Sequence, residues 1–271
     1  MGSPKRILIL DGDPQTQHGL RESLGTPDRE FHTAPPEAGS VAIAPYDLIL
    51  AGTLSALACV RRIWPRTPAI VIAASAGPED VLSAVQAQAY AFFRIPYVVS
   101  ALSATVELAL ESAWDESDIQ VHSARPNWFG ADLRCKRDTA DRVLQFVREL
   151  VADLGSPHQE NFATALREIL ANAIEHGGGL DPLKTVSIAW VRTRHAILCY
   201  IRDPGSGFRF DQLPHAAVSN PVETPFEHAE VRQRLGMRPG GFGILLARSL
   251  VDELIYDQAG NEVLLVKYVA Q

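Results

Sequence analysis

The chain has 271 residues, 46% of them hydrophobic, and a formal net charge of -7 at pH 7. That length accommodates two domains with apolar cores of ordinary size, and the acidic balance argues against a broad nucleic-acid surface. Cys59, Cys135 and Cys199 are few and scattered, with no CxxC pair, which argues against a disulfide framework or zinc site and fits a reducing cytoplasm.

The opening MGSPKRILILDGD is not a signal peptide, because its short apolar run at Ile7–Leu10 is followed at once by an acidic turn. Nowhere does an apolar stretch reach the roughly 18 residues of a membrane helix, so a soluble chain without membrane contact is expected. The run at residues 6–10 reads as a strand, and a helical pattern follows through Leu24. Further strands are expected at 30–34, 46–51, 68–74 and 89–93. Helices are expected at 54–64, from Pro78 and over about 98–113. Glu79 and Asp80 suit the start of the helix that Pro78 opens, where the helix dipole favours negative charge. Short apolar strands alternating with helices predict a doubly wound, five-stranded parallel α/β sheet covered on both faces.

The polar stretch 115–130 breaks that rhythm. The boundaries expected are therefore a first domain over 1–118, a linker over 119–130 and a second domain over 131–271. In the second half a short strand at 133–136 precedes two helices, about 139–154 and 157–177. Two alternating segments, 185–191 and 195–203, read as paired strands. A third helix starts near Gly243, and a hairpin at 254–269 follows it. Grouped helices and sequential strands predict an α+β two-layer sandwich.

In the segment EILANAIEHGG the residues Glu168, Asn172 and His176 recur at one helical spacing. Phe162, Ala165, Leu166, Ile169 and Ala173 form an apolar face. Glu168, Asn172 and Glu175 lie to one side of it, and His176 lies nearer its edge. A solvated polar face would show the same pattern. Later, DPGSGF places Asp203 at a strand end, with Gly205 and Gly207 allowing close backbone approach to a ligand. In PGGFGILLARSL, the residues Gly240, Gly241 and Gly243 precede an apolar helix whose N-terminal amides suit phosphate oxygens.

These boxes, in this order, are those of the GHKL class, and residues from about Arg134 to Lys267 resemble the ATP-binding domain shared by gyrase, histidine kinases and MutL-type proteins. Within that class the chain looks most like the bacterial anti-sigma-factor serine kinases. The resemblance implies ATP or ADP as ligand and Mg²⁺ as cofactor. It makes Asn172 the Mg²⁺ ligand, Glu168 the general base and Asp203 the acceptor from the adenine amino group. It gives Gly205, Gly207, Gly240, Gly241 and Gly243 to the nucleotide loops, and residues 209–238 to a mobile lid in which Arg232, Arg234 and Arg238 are candidate phosphate contacts. His176 is assigned packing or support behind the site. The resemblance further implies a STAS-fold anti-sigma-factor antagonist as phosphoacceptor, a sigma factor as second partner, and dimerisation.

Residues 5–113 resemble a response-regulator receiver without its chemistry. Asp11 and Asp13 stand near the acidic pair. Gly52 stands where the phosphoacceptor carboxylate belongs, Ala73 where a Thr or Ser belongs, and Ile95 where the Lys belongs. The expectation is a docking or dimerisation surface that is not phosphorylated. No histidine is followed by an acidic residue with a proline nearby, as the phosphoacceptor helix of a histidine kinase usually has; His122 in VHSARP has no acidic neighbour in sequence. The leading expectation is a serine/threonine kinase acting on a transcriptional switch. A nucleotide-gated adaptor without phosphotransfer, or the catalytic half of a split histidine kinase, remains open on the sequence.

Overall fold

The computed structural model describes residues 3–36, 45–74, 76–112, 114–209, 216–217, 220, 224, 226–236 and 241–269. The chain divides into two units. The first comprises Met1–Asp118 with Gln145–Leu150, and the second comprises Ile119–Leu144 with Val151–Gln271.

In the first unit, β1 (Lys5–Leu10), β2 (Arg29–Ala34), β3 (Leu48–Ala51), β4 (Ala69–Ala73) and β5 (Ala91–Arg94) form one parallel sheet in the order β2-β1-β3-β4-β5. That is the order of flavodoxin-like folds, whose ligand sites lie beyond the carboxyl ends of the strands. The inner strands are apolar on both faces, as a sheet covered on both sides requires: Ile7, Leu8, Ile9, Leu48, Ile49, Ile70 and Val71 have no exposed surface. Among the described residues, four helices accompany the sheet: α1 (Pro14–Leu24), α2 (Leu54–Ile63), α3 (Pro78–Gln86) and α4 (Val99–Glu111). Asp13 caps α1 by accepting from the amides of Gln15 and Thr16, and Thr53 caps α2 by accepting from that of Ala56.

The second unit holds a six-stranded antiparallel sheet in the order β10-β11-β9-β8-β7-β6. Its strands are β6 (Ile119–Arg125), β7 (Trp128–Arg134), β8 (Thr185–Arg192), β9 (Ala196–Arg202), β10 (Glu253–Tyr256) and β11 (Glu262–Tyr268). Residues 119–130, expected as a linker, are instead β6 and the start of β7. Their polarity is that of an edge hairpin: Ile119 and Phe129 are buried, while Gln120, His122, Arg125 and Trp128 meet solvent or the rim.

Alternation then sorts the sheet into two faces. The register Val263↔Ile201↔Ile188↔Ala131 places these four side chains on one face, and all are buried. The helices of this unit are α5 (Arg137–Leu150), which runs into the first unit's segment, α6 (His158–Asn172), α7 (Glu227–Arg234) and α8 (Gly243–Leu250). The buried stripe of α6, with Phe162, Ala165, Leu166 and Ile169, is the one its sequence period foretells. Among the described residues no helix is long and apolar enough to cross a membrane.

Candidate functional site

The end of α6 is where local geometry begins to build a site. After Asn172 the helix widens into a π turn over Ala173–Gly177, and the Gly178 amide reaches back five residues to the carbonyl of Ala173 at 2.8 Å. Such turns concentrate at functional sites. This one keeps Ala173 and Ile174 buried and delivers Gly177 against Asp203 at the end of β9. A Cβ on Gly177 would lie 2.5 Å from that of Asp203, and one on Gly205 would lie 3.0 Å from the Gly177 Cα. Both positions therefore need glycine.

Asp203 itself is pinned. Its amide donates to the carbonyl of Asn261 at 3.0 Å, and its Oδ1 accepts from the Gly205 amide at 2.8 Å. Burial pushes its carboxyl above the usual carboxylate range; the Gly205 amide opposes that shift and the charge of Asp257 adds to it. Behind it, Phe208 and Tyr256 meet edge to face at 5.2 Å. The Tyr256 hydroxyl is pushed up by burial and by the Asp203 charge.

The third side comes from α8. Gly243 is its first residue, and a Cβ there would lie 2.7 Å from Glu168 Oε2 and 3.5 Å from Asn172 Nδ2. The carboxylate and amide of α6 thus converge on the N-terminus of α8, where backbone N–H groups are unpaired and the dipole favours an anion. Between these walls lies a cavity of about 480 Å³, within the range of small-molecule sites. Glu168, Asn172, Asp203, Gly205, Gly207, Gly241 and Gly243 all line it, as do the apolar side chains Ile169, Ile201, Ile244 and Val263.

Of the lid candidates, Arg232 lines the cavity and Arg234 is exposed on α7 away from its wall. Gly240 and Arg238 lie outside the described residues. His176, assigned packing or support behind the site, is exposed and lies on the cavity wall within the π turn; the packing half of that expectation does not hold. Cys135 and Cys199 are buried thiols, whereas Cys59 is half-buried; burial pushes Cys199 up to about 12.

Sequence reasoning found the hairpin of β10 and β11 but missed the part its loop plays in the site. Asn261 Nδ2 donates to the carbonyls of Asp203 and Gly205, both at 3.4 Å. Gly260, at φ +84, packs on the Phe208 backbone, and Gly207, at φ +75, packs on the Ala259 carbonyl. The AGN turn was legible as a hairpin, but nothing local in it marks a partner more than 50 residues away.

In the first unit the degenerate positions do assemble at the carboxyl ends of the strands. The amide of Gly52 donates to Leu10 O at 2.8 Å, and that of Ile95 to Ala73 O at 2.9 Å. A Cβ on Gly52 would collide with the Asp11 carboxylate. Asp13 is engaged as the cap of α1, and its hydrogen bond from the Thr16 hydroxyl, with those from the Gln15 and Thr16 amides, holds its carboxyl below the usual range.

The family model of the histidine kinase-like ATPase domain matches residues 133–267. The second unit is therefore a histidine kinase-like ATPase domain, and the chain joins it to a unit with the receiver-type strand order. A family of that description makes ATP the ligand expected in the cavity. Among solved structures, a CheY-like response-regulator receiver domain protein from Methanospirillum hungatei JF-1 is 22% identical, with 40% of this chain and 95% of that chain covered and a TM-score of 0.38. A response regulator from Thermotoga maritima is 18% identical over 40% of this chain and 99% of that one, with a TM-score of 0.37. No curated protein matches the chain.

Proposed function

We propose that the second unit binds ATP with Mg²⁺ in this cavity and passes the terminal phosphoryl group to a serine or threonine hydroxyl of a partner protein. The observation that carries the reading is the meeting of Glu168 and Asn172 with Gly243 at the start of α8. It joins a carboxylate, an amide and a phosphate-binding helix end in one place.

The residues suit the group on three counts. The cavity volume admits a nucleotide. The glycines at 205, 207, 241 and 243 leave backbone amides approachable. The amide oxygen of Asn172 is a hard donor of the kind Mg²⁺ takes. Among the described residues no group of three or more His, Cys, Asp or Glu side chains could hold a metal ion. Asn172 would therefore share Mg²⁺ with the nucleotide's own phosphates, the common arrangement for this ion. When bound, Mg²⁺ neutralises charge on the phosphate oxygens.

The chain's own residues do the rest. Asp203, held by Gly205 and Asn261, accepts from the adenine amino group. The amides ahead of α8 and the Arg232 guanidinium hold phosphate oxygens. Glu168 orients the incoming hydroxyl and receives its proton. Catalysis of this kind rests on positioning and charge neutralisation. The acceptor we propose is a STAS-fold anti-sigma-factor antagonist, with a sigma factor as second partner. The first unit serves as a regulatory docking or dimerisation surface.

The test is incubation with Mg-ATP and purified STAS-domain proteins, with phosphoserine and phosphothreonine read by mass spectrometry. Labelling that Glu168→Ala removes is expected. ATP binding without transfer to any candidate would favour a nucleotide-gated adaptor instead.

A further inference from the structure

α7 is an eight-residue helix with one buried side chain, and that side chain is a histidine. His228 has no exposed surface, whereas Phe226 and Leu235, flanking the helix, are largely exposed. A helix of this length is marginal in water without an anchor, so what holds His228 holds α7. Asn220 grips it twice: its Oδ1 accepts from the His228 amide at 3.1 Å, and its Nδ2 lies 2.6 Å from His228 Nδ1. The first bond fixes the orientation of the side-chain amide. The second therefore runs from Nδ2 as donor to the lone pair of Nδ1, with the ring proton on Nε2. Against the ring, Phe242 packs edge to face at 4.5 Å. Among the described residues His228 Nε2 has no hydrogen-bond partner. An apolar side chain would fill the same place without burying an unpaired donor, so packing alone does not account for an imidazole here.

The grip closes on the glycine turn ahead of α8. The Asn220 amide donates to the Ala217 carbonyl at 3.2 Å, and the Ala217 amide donates to the Gly241 carbonyl at 2.8 Å. Phe242 follows Gly241 in the chain, and Gly243 starts α8. His228 is thus tied to one short turn from two sides, through Asn220 and through Phe242. Arg232 lies one helical turn further along α7, on the same side as His228, and lines the cavity together with Gly241 and Gly243.

We propose that His228 is a positioning residue: anchored by Asn220 and Phe242, it sets α7 so that the Arg232 guanidinium reaches the polyphosphate end of a bound nucleotide. His228 does not itself line the cavity and acts through Arg232. The fixed point is the same glycine turn whose amides receive phosphate oxygens, so the guanidinium and those amides keep one spacing across the anion. The phosphate role rests on the nucleotide reading above, whereas the anchoring of α7 does not.

The experiment uses the full chain, with Mg-ATP and AMP as ligands in titration calorimetry and trypsin as the probe of α7. His228→Phe keeps a ring against Phe242 and removes the Nδ1 acceptor. It is expected to weaken Mg-ATP binding about tenfold and to leave binding of AMP, which lacks the outer phosphates, unchanged. Asn220→Ala should do the same. His228→Asn, which returns an acceptor oxygen to the Nδ1 side of the ring, should recover part of the affinity. Arg232→Ala should match the loss, and adding His228→Phe to it should weaken binding no further, because the histidine acts through the arginine. Trypsin should cut after Arg232 and Arg234 sooner in His228→Phe than in the parent. Parent-like Mg-ATP affinity in His228→Phe, equal losses for Mg-ATP and AMP, or additive losses in the double variant would overturn the positioning role. No binding of Mg-ATP by the parent would instead sink the reading of the cavity and the phosphate role with it. Trypsin then decides the anchor, which equal cutting rates in His228→Phe and the parent would overturn.

Discussion

Gly243 and Glu168 sit so close that a single added methyl group would lie 2.7 Å from the carboxylate Oε2. The contact is with the far end of a flexible side chain, so Gly243→Ala is expected to fold and to push the carboxylate aside. Transfer to a protein acceptor should fall about 100-fold, the scale of a misplaced reacting group, while the rise in Tm produced by ATP persists. Loss of ATP binding together with transfer would show that Gly243 serves the nucleotide alone.

Asn172→Ala tests the metal ligand. Removing one polar contact to a charged group costs about 1.5–3 kcal/mol, at least about tenfold in Kd. The loss should be confined to the Mg²⁺-dependent part of ATP affinity by titration calorimetry. Equal affinities with Mg²⁺ present would remove Asn172 from that role.

Asp203 predicts a pH dependence. Its carboxyl is raised above the ordinary 3.8 chiefly by burial. Relative to the ionised state, protonation therefore favours the fold below that unfolded value, and the advantage fades as pH rises through the folded one. At about pH 7 the buried charge is a burden on the ligand-free fold. Asp203→Asn should raise the ligand-free Tm there, with the gap closing toward acid, and should abolish the ATP-induced rise. Parallel Tm profiles for the two proteins would contradict the burial argument.

Gly207 offers a stability test with an internal control. Gly155 and Gly207 both have positive φ, but a Cβ on Gly155 meets open space and one on Gly207 meets the Ala259 carbonyl. Left-handed strain alone costs about 1–3 kcal/mol. Gly207→Ala should exceed Gly155→Ala in urea denaturation and should also lose ATP binding, which Gly155→Ala should keep.

For the first unit, acetyl phosphate should leave the protein unlabelled by intact mass. Gly52→Asp should not rescue labelling, because the new side chain would run into Asp11 and two adjoining carboxylates disfavour each other's charge. Labelling of Asp11 or Asp13 in the parent would overturn this.

Much of the framework was legible because it follows from local periodicity. The all-apolar runs at Ile7–Leu10 and Ala69–Ile72 announced a parallel sheet covered on both faces, and the stripe from Phe162 to Ile169 announced the buried flank of α6. Glu168 and Asn172 could be paired from spacing alone, one turn apart on an ordinary helix. His176 could not be placed, since the π turn over Ala173–Gly177 departs from the helical period that the spacing assumes. Residues 119–130 read as a linker because an edge strand keeps polar residues, and the bulge at His122 interrupts the alternation that would have revealed it. Asn261 carried no signal of its own, because its role lies wholly in the carbonyls it reaches across the fold.

The clasp of Asn261 on Asp203 also bears on how the protein is made. β9 leaves the ribosome well before β11, yet β11 becomes its neighbour in the finished sheet. Until β11 has been translated and has slotted in beside β9, Asp203 lacks the carbonyl that receives its amide, and the Gly207 turn lacks the backbone it rests on. A nascent chain halted before residue 261 would carry the helical half of the cavity but not its finished Asp203 wall, so ligand-binding competence should switch on abruptly during synthesis rather than accrue with length.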